Sequence, residues 1–168
     1  MITVPRLEKR NAIPYIAIRT QVPIPFGAVL PPLWGEVFAW LANKGITPAG
    51  APFIRYLTTD MARKLDLEVG FPVAVPVPGD HRISAGVFPA GRYAVCVYSG
   101  PYEGLVEATA ALLEWAQKNN VVWQTATVDN IEWWEARIEF YLTDPAAEPD
   151  PQKWQTELAF LVAENKTR

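Results

Sequence analysis

Hydrophobic positions along the chain follow two periods, and prolines and glycines separate the segments that carry them. Alternation typical of β-strands occurs in seven segments, at 15–20, 53–58, 67–77, 83–88, 92–99, 135–143 and 155–163. Helical spacing of apolar residues occurs twice, from Leu33 to Leu41 and from Leu105 to Ala116. This mixture of strands and two helices predicts the α+β fold class.

The order of these elements repeats, and short sequence matches repeat with it. The longest match aligns 67–74 (LEVGFPVA) with 156–163 (TELAFLVA). Three further matches occur in the same order, 15–18 with 93–96, Trp40 with Trp115, and 56–58 with 141–143. The repeat predicts two pseudo-symmetric β-α-β-β units, at about 12–78 and 83–163, in a single domain over residues 1–168. We expect one antiparallel sheet with both helices on one face and a ligand cleft between the units.

Alternation within the predicted strands separates apolar faces from faces that carry carboxylates and tyrosine. In the segment 135–142, Glu139 and Tyr141 alternate with Ile138 and Phe140. We expect the apolar faces to pack against the helices. The opposite faces then gather the polar and aromatic candidates, Glu68, Glu139, Glu157, Tyr141 and Trp133. Two interpretations are open: the mixed face is solvated, or it lines an aromatic cleft whose carboxylate suits a lipophilic cation.

Charge and composition narrow the classes of function. The chain carries 15 Lys and Arg against 18 Asp and Glu, and a net charge of -3 without a basic run argues against direct nucleic-acid binding. No apolar run is long enough to span a membrane, and no signal peptide is visible, so we expect a cytoplasmic protein. We expect neither a metal site nor a cofactor, because Cys96 and His81 are the single cysteine and the single histidine.

Four segments carry a resemblance to a known family. They are 65–73 (LDLEVGFPV), 93–102 (YAVCVYSGPY), 138–145 (IEFYLTDP) and 154–158 (WQTEL). With these segments in this order, over about 12–163, the chain resembles the gyrase-inhibitor-like (GyrI-like) superfamily of small-molecule-binding domains. That superfamily includes the effector-binding domains of AraC-type and MerR-type bacterial transcription regulators, among them multidrug sensors.

The resemblance implies a duplicated β-α-β-β fold with a ligand cleft between the two units. It places Glu139 and Tyr141 in that cleft and matches Glu157 with the family's glutamate in the last strand, whereas Tyr98 stands where the family often has histidine. The residues that we expect to bind the ligand are Glu139, Tyr141, Glu157, Trp133, Tyr56, Glu68 and Tyr98. The tryptophans on the predicted helices are expected to pack in the core, namely Trp34, Trp40 and Trp115.

Three functions are consistent with these observations. The first is a stand-alone bacterial protein that binds bulky aromatic, often cationic, small molecules in a cleft with a central glutamate. The second, implied by the resemblance, is hydrolysis of cyclopropane-bearing DNA-alkylating natural products, with Glu139 as general base and Tyr141 as hydrogen-bond donor. The third is an interaction with DNA gyrase, which the family name suggests. We rank them in this order.

Overall fold

The computed structural model describes residues 1–23, 29–59 and 64–164 of the chain. This part contains two α-helices, α1 (Leu30–Asn43) and α2 (Leu105–Lys118). Its strands are β1 (Arg6–Arg10), β2 (Ile13–Val22), β3 (Phe53–Tyr56), β4 (Leu65–Pro72), β5 (Ser84–Phe88), β6 (Gly91–Ser99), β7 (Thr125–Val128), β8 (Ile131–Trp134), β9 (Arg137–Tyr141) and β10 (Gln155–Leu161). The predicted α+β class is confirmed. Neither of these helices has the length and apolar character needed to cross a lipid bilayer.

Eight of the strands form one antiparallel sheet in the order β1-β6-β10-β9-β3-β4-β2-β5, and β7 and β8 form a separate hairpin. The centre of the large sheet is the pairing of β3 with β9. On either side lie the units β2-α1-β3-β4 and β6-α2-β9-β10, and the hairpin is inserted between α2 and β9. These units confirm the duplicated β-α-β-β arrangement predicted from the sequence.

The strand register relates the two units by an approximate two-fold axis. At the centre of the sheet, Ile54 of β3 pairs with Glu139 of β9. On one side of this pair the register runs from β3 through β4 to β2, and on the other side from β9 through β10 to β6. Along these two routes Tyr15 of β2 and Tyr93 of β6 occupy equivalent positions. The short sequence matches therefore correspond to equivalent places in the sheet, which is why the two halves share them.

The sheet curls until its two edges approach each other. Two residues join β1 to β2, and two join β5 to β6, although β1 and β5 lie at opposite edges in the pairing order. A linker of that length spans about 11 Å at most, so the edges are close in space. The inner face of the curled sheet encloses a core that includes five aromatic rings, those of Tyr15, Phe53, Phe88, Tyr93 and Phe140.

Both helices pack on the opposite, outer face of the sheet. Helix α1 buries Val37 and Leu41 against β2. Helix α2 buries Ala108 and Leu112 against β6, where Cys96 packs as a small apolar side chain. The strand residues that contact the helices alternate with those of the inner core, which confirms the prediction that both helices lie on one face.

The local sequence explains where helix α1 begins and ends. Pro31 and Pro32 lie in its first turn, where the missing N–H groups cost no helical hydrogen bond. Gly45, just after the helix, has a φ of 69°, a left-handed conformation that other residues rarely adopt. The chain therefore turns away from the helix at this glycine and returns to the sheet as β3.

One prediction about the strand faces is wrong. Ile138 and Phe140 of β9 point into the inner core rather than towards the helices. Glu139 and Tyr141 therefore lie on the outer face, on the same side as the helices. The prediction assigned the more apolar face of each strand to the helices. In a curled sheet both faces are buried, so apolar character alone does not identify the helix side.

Candidate functional site

Glu139 lies at the centre of the sheet on its outer face. Only 6% of the surface of Glu139 is exposed to solvent. The hydroxyl groups of Tyr141 and Tyr56 both donate hydrogen bonds to its Oε1 atom, at 2.6 and 2.8 Å. Tyr56 belongs to β3 and Tyr141 to β9, so the central strand pair supplies all three side chains. The structure thus brings together three of the seven residues expected to line the cleft.

Aromatic rings from both units cover these tyrosines. Trp34 of α1 packs edge-on against Tyr141 with ring centroids 5.4 Å apart, and its indole N–H donates to a backbone carbonyl of β3. Tyr102, in the turn that leads into α2, lies 5.7 Å from Tyr141. Trp154, which precedes β10, packs against Tyr102 at 4.9 Å. We call Trp34, Tyr102 and Trp154 the aromatic cover, and the region of Glu139, Tyr56 and Tyr141 that it shields the cleft.

The aromatic cover is not part of the predicted site. Trp34 is predicted only to pack in the core, and neither Tyr102 nor Trp154 is among the predicted ligand-binding residues. Trp34 and Tyr102 lie near the beginnings of the two helices, and both reach the central strand pair. The internal repeat carries this signal, because residues near the starts of the repeated helices lie on either side of the axis between Ile54 and Glu139.

Arg137 brings a positive charge to the same face of β9. It lies two residues before Glu139, a distance of about 7 Å along a strand. Its guanidinium carbon Cζ lies 4.7 Å from the ring centroid of Trp134 and 4.8 Å from that of Phe160. Burial lowers the pKa of Arg137, although the negative charge of Glu139 opposes this change. Among the described residues, its Nε has no hydrogen-bond partner.

Burial determines the protonation properties of this cluster. It raises the pKa of Glu139, although the hydrogen bonds from Tyr141 and Tyr56 and the charge of Arg137 oppose the shift. The pKa of each tyrosine lies well above its ordinary value, first because of burial and second because of the charge of Glu139. The tyrosines therefore remain protonated donors. When it is ionised, Glu139 gains from a further counter-charge.

The two other predicted carboxylates lie on the inner face of the sheet. Glu68 accepts a hydrogen bond from Tyr15 at 2.6 Å and lies 3.3 Å from a guanidinium nitrogen of Arg55. Glu157 forms an ion pair with Arg10 at 2.8 Å. Each of them therefore already has a basic partner. In the described part of the chain, no group of three or more His, Cys, Asp or Glu side chains is arranged to hold a metal ion.

The sheet separates these two carboxylates from Glu139, so the prediction that all three share one face is wrong. Glu157 pairs directly with Phe140, the neighbour of Glu139 in the chain. Directly paired residues in an antiparallel ladder point to the same face, so Glu157 and Glu139 point to opposite ones. Alternation within one strand does not reveal its register against the next strand, and that register decides which side chains meet.

The prediction that Trp133 shares the face of Glu139 is also wrong. Trp133 lies in β8, where the guanidinium of Arg19 is 6.0 Å from its ring. Its neighbour Trp134 is the ring that packs beside Arg137 and the α2 cluster. Residues 135–136 lie outside the strands and interrupt the alternation between β8 and β9. Counting by twos across this break therefore assigns the wrong tryptophan to the site.

Tyr98 supports the segment that leads into α2. Its hydroxyl donates a hydrogen bond to the carbonyl of Pro101 at 2.8 Å. A Cβ atom at Gly104 would lie 1.9 Å from that hydroxyl oxygen, so the ring fills the space that this glycine leaves open. The structure thus places Tyr98 against the segment that carries Tyr102, rather than against Glu139.

Comparisons with known proteins identify relatives of the whole chain. Residues 3–163 match the family model of the GyrI-like small molecule binding domain. No curated protein matches the chain by sequence. The structure of EcmrR in a complex with DNA superposes with a TM-score of 0.78 at 22% identity, over 98% of this chain and 58% of EcmrR. The isolated C-terminal domain of EcmrR gives the same TM-score and identity, over 96% of this chain and 98% of that domain.

Two further solved structures share the fold at lower identity. SAV2435 bound to tetraphenylphosphonium superposes with a TM-score of 0.60 at 10% identity, over 96% of this chain and 94% of that protein. A hydrolase from Listeria innocua superposes with a TM-score of 0.62 at 13% identity, over 95% of this chain and 91% of that protein. At these identities the likeness shows a common fold.

Proposed function

Because this chain belongs to the family of GyrI-like small-molecule-binding domains, we propose that it binds bulky aromatic cations in the cleft at Glu139. The family assignment confirms the resemblance found in the sequence. One observation carries the proposal: Glu139 is only 6% exposed and, within residues 1–23, 29–59 and 64–164, its carboxyl group accepts hydrogen bonds from two tyrosines and from no basic side chain. Such a group is more stable when a bound cation accompanies it.

A bulky aromatic cation meets the needs of this cleft in two ways. Its charge compensates the buried carboxylate, whose transfer out of water costs several kcal/mol without a partner. Its apolar area replaces the contacts between the rings of the aromatic cover, which must separate to admit it. The rings of Trp34 and Tyr102 then add cation–π attraction of about 0.5–2 kcal/mol.

A relative with a bound ligand supports this class of ligand. SAV2435 shares the fold and binds tetraphenylphosphonium, which is a monocation surrounded by four phenyl rings. The role of Glu139 in this chain is our proposal, as are a multidrug-type breadth of ligands and a cytoplasmic location.

The test is a fluorescence titration with the cationic dye rhodamine 6G. We expect saturable binding by the wild type and a loss of at least about tenfold in affinity, or about 1.4 kcal/mol, in Glu139→Gln. Glutamine keeps an oxygen that accepts from the tyrosines, so the cleft retains its shape. Glu157→Gln is the matched control on the inner face and should bind as the wild type does. Equal affinity in wild type and Glu139→Gln would refute the proposal.

A second candidate function is hydrolysis of an electrophilic small molecule. Burial raises the pKa of Glu139 towards the range in which a carboxylate is an effective general base. Glu139 would then take a proton from a water molecule as the water oxygen bonds to a cyclopropane carbon of the substrate. The ring carbon–carbon bond would break at the same time, and its electron pair would pass to a conjugated carbonyl oxygen of the substrate, which takes up a proton afterwards. Tyr141 would turn its hydroxyl, which donates to Glu139 in the structure, towards that carbonyl oxygen and donate a hydrogen bond to it. A structural relative is a hydrolase from Listeria innocua, which supports this candidate.

Mass spectrometry separates the two candidates. A hydrolase converts a cyclopropane-bearing alkylating compound into its water adduct, and Glu139→Gln should abolish that product. A protein that only binds the compound leaves it chemically unchanged and shields it from the solvent. The third hypothesis, an interaction with DNA gyrase, gains no support from the geometry of the cleft.

A further inference from the structure

Arg137 is a second charge beside the cleft, and a site that binds only cations does not need it. It lies on the outer face of β9, in the same row of side chains as Glu139. Trp134 and Phe160 lie within 5 Å of its Cζ atom, at 4.7 and 4.8 Å from ring centroid to carbon. The ring of Tyr56, which also binds Glu139, lies 6.0 Å away. The guanidinium is thus held against aromatic rings, and its charge acts on the carboxyl group of Glu139.

The charge of Arg137 acts on Glu139 over a distance rather than through a contact ion pair. Arginine stays protonated in proteins, and among the described residues its Nε has no hydrogen-bond partner. Two opposite charges on neighbouring side chains of one row interact strongly where little water screens them, and the charge of Arg137 does act on Glu139. Arg137 and Glu139 together therefore make the wall of the cleft close to neutral.

We propose that Arg137 is a specificity-determining residue that lets this cleft accept zwitterionic aromatic ligands. The proposal rests on the function proposed above and names its ligand class more narrowly. A ligand cation is attracted by Glu139 and repelled by Arg137. A ligand that carries a carboxylate as well as a cation places its negative group towards Arg137 and its positive group towards Glu139.

Two dyes that share one ring system test this charge preference. Rhodamine 6G is an ethyl ester and a monocation, and rhodamine 19 is the corresponding free acid and a zwitterion. The measured quantity is the ratio of their dissociation constants. We expect Arg137→Met, which keeps an unbranched chain but removes the charge, to shift the ratio at least about tenfold in favour of rhodamine 6G. Arg137→Lys keeps the charge and should keep the wild-type ratio.

A matched control and a second variant exclude a merely structural effect. Arg10→Met removes an arginine from the inner face, where Arg10 pairs with Glu157, and should leave the ratio unchanged. Arg137→Gln repeats the test if the methionine variant does not fold, as judged by near-ultraviolet circular dichroism. A structural role of Arg137 would weaken both dyes equally and leave their ratio constant.

The outcomes distinguish this inference from the proposed function. If Glu139→Gln weakens rhodamine 6G but neutral variants at Arg137 leave the ratio within twofold, the inference about Arg137 is overturned and the cation site stands. If Glu139→Gln has no effect on either dye, or the wild type binds neither dye, the proposed function fails, and the inference fails with it.

Discussion

Replacement of Glu139 by glutamine should stabilise the fold at neutral and mildly alkaline pH while it removes the counter-charge for a ligand. Burial raises the pKa of Glu139 in the folded state. A carboxyl group with a raised folded pKa contributes its stability below the unfolded pKa of about 4.3 and loses it as the pH rises through the folded value. Ionised Glu139 therefore costs free energy that neutral glutamine does not.

The size of the gain follows from opposing contributions. Burial of an ion costs several kcal/mol, and each of the two hydrogen bonds from Tyr56 and Tyr141 offsets about 1.5–3 kcal/mol of this cost. The raised pKa of Glu139 indicates that the burial cost is the larger quantity. We expect Glu139→Gln to gain on the order of 1 kcal/mol, which corresponds to about 2–4 °C in Tm for a chain of this size.

The assay is thermal unfolding of wild type and variant at about pH 8 and about pH 3.5, on either side of the ordinary glutamate pKa. Other titrating groups are common to both proteins, so the difference between them reports Glu139. The difference should be largest at the higher pH and disappear at the lower one. Glu157→Gln loses an ion pair with Arg10 and should show no gain. A variant that is less stable than the wild type at about pH 8 would refute the reasoning.

Three other outcomes can be measured directly. Affinity for rhodamine 6G should fall as the pH is lowered through the raised pKa of Glu139, because protonation removes the negative charge. The affinity of Glu139→Gln should not depend on pH in this range. Parallel pH profiles of the two proteins would exclude Glu139 as the titrating group. Trp34→Leu should weaken the dye about tenfold, the scale of one lost aromatic contact, while Trp40→Leu on the same helix, whose indole bonds Asp80, should change it little. Leu112→Ala, at a fully buried position beneath α2, should lower the free energy of unfolding by about 2–5 kcal/mol in urea titrations, and a cost well under 1 kcal/mol would contradict the helix packing described here.

The duplicated architecture was predictable because it depends on patterns that are local or repeated. Tyr15 and Tyr93 match in the sequence and occupy equivalent places in the sheet. The central residues of the site were predictable for the same reason. Glu139 and Tyr141 lie two apart in one short strand, and their shared face follows from strand geometry alone.

The partners of Glu139 from outside its strand were less accessible to prediction. Tyr56 was expected and does donate to Glu139. Trp34 and Tyr102 reach the site because the two-fold arrangement brings the beginnings of both helices to the central strands. That these residues meet depends on how whole helices and strands pack. The spacing of residues within one segment therefore does not predict it.

The sequence by itself determined the fold class, the repeat, the family and the identity of the central carboxylate, since periodicity and motif order are properties of the chain. Only the tertiary structure decided which side chains meet at the cleft. The curl of the sheet buries both faces of β9, and the pairing of Glu157 with Phe140 places Glu157 on the inner face while Glu139 lies on the outer one. The break after β8 turns Trp134 rather than Trp133 towards Arg137. Curvature and register arise from contacts between distant segments, and alternation within a strand carries no information about them.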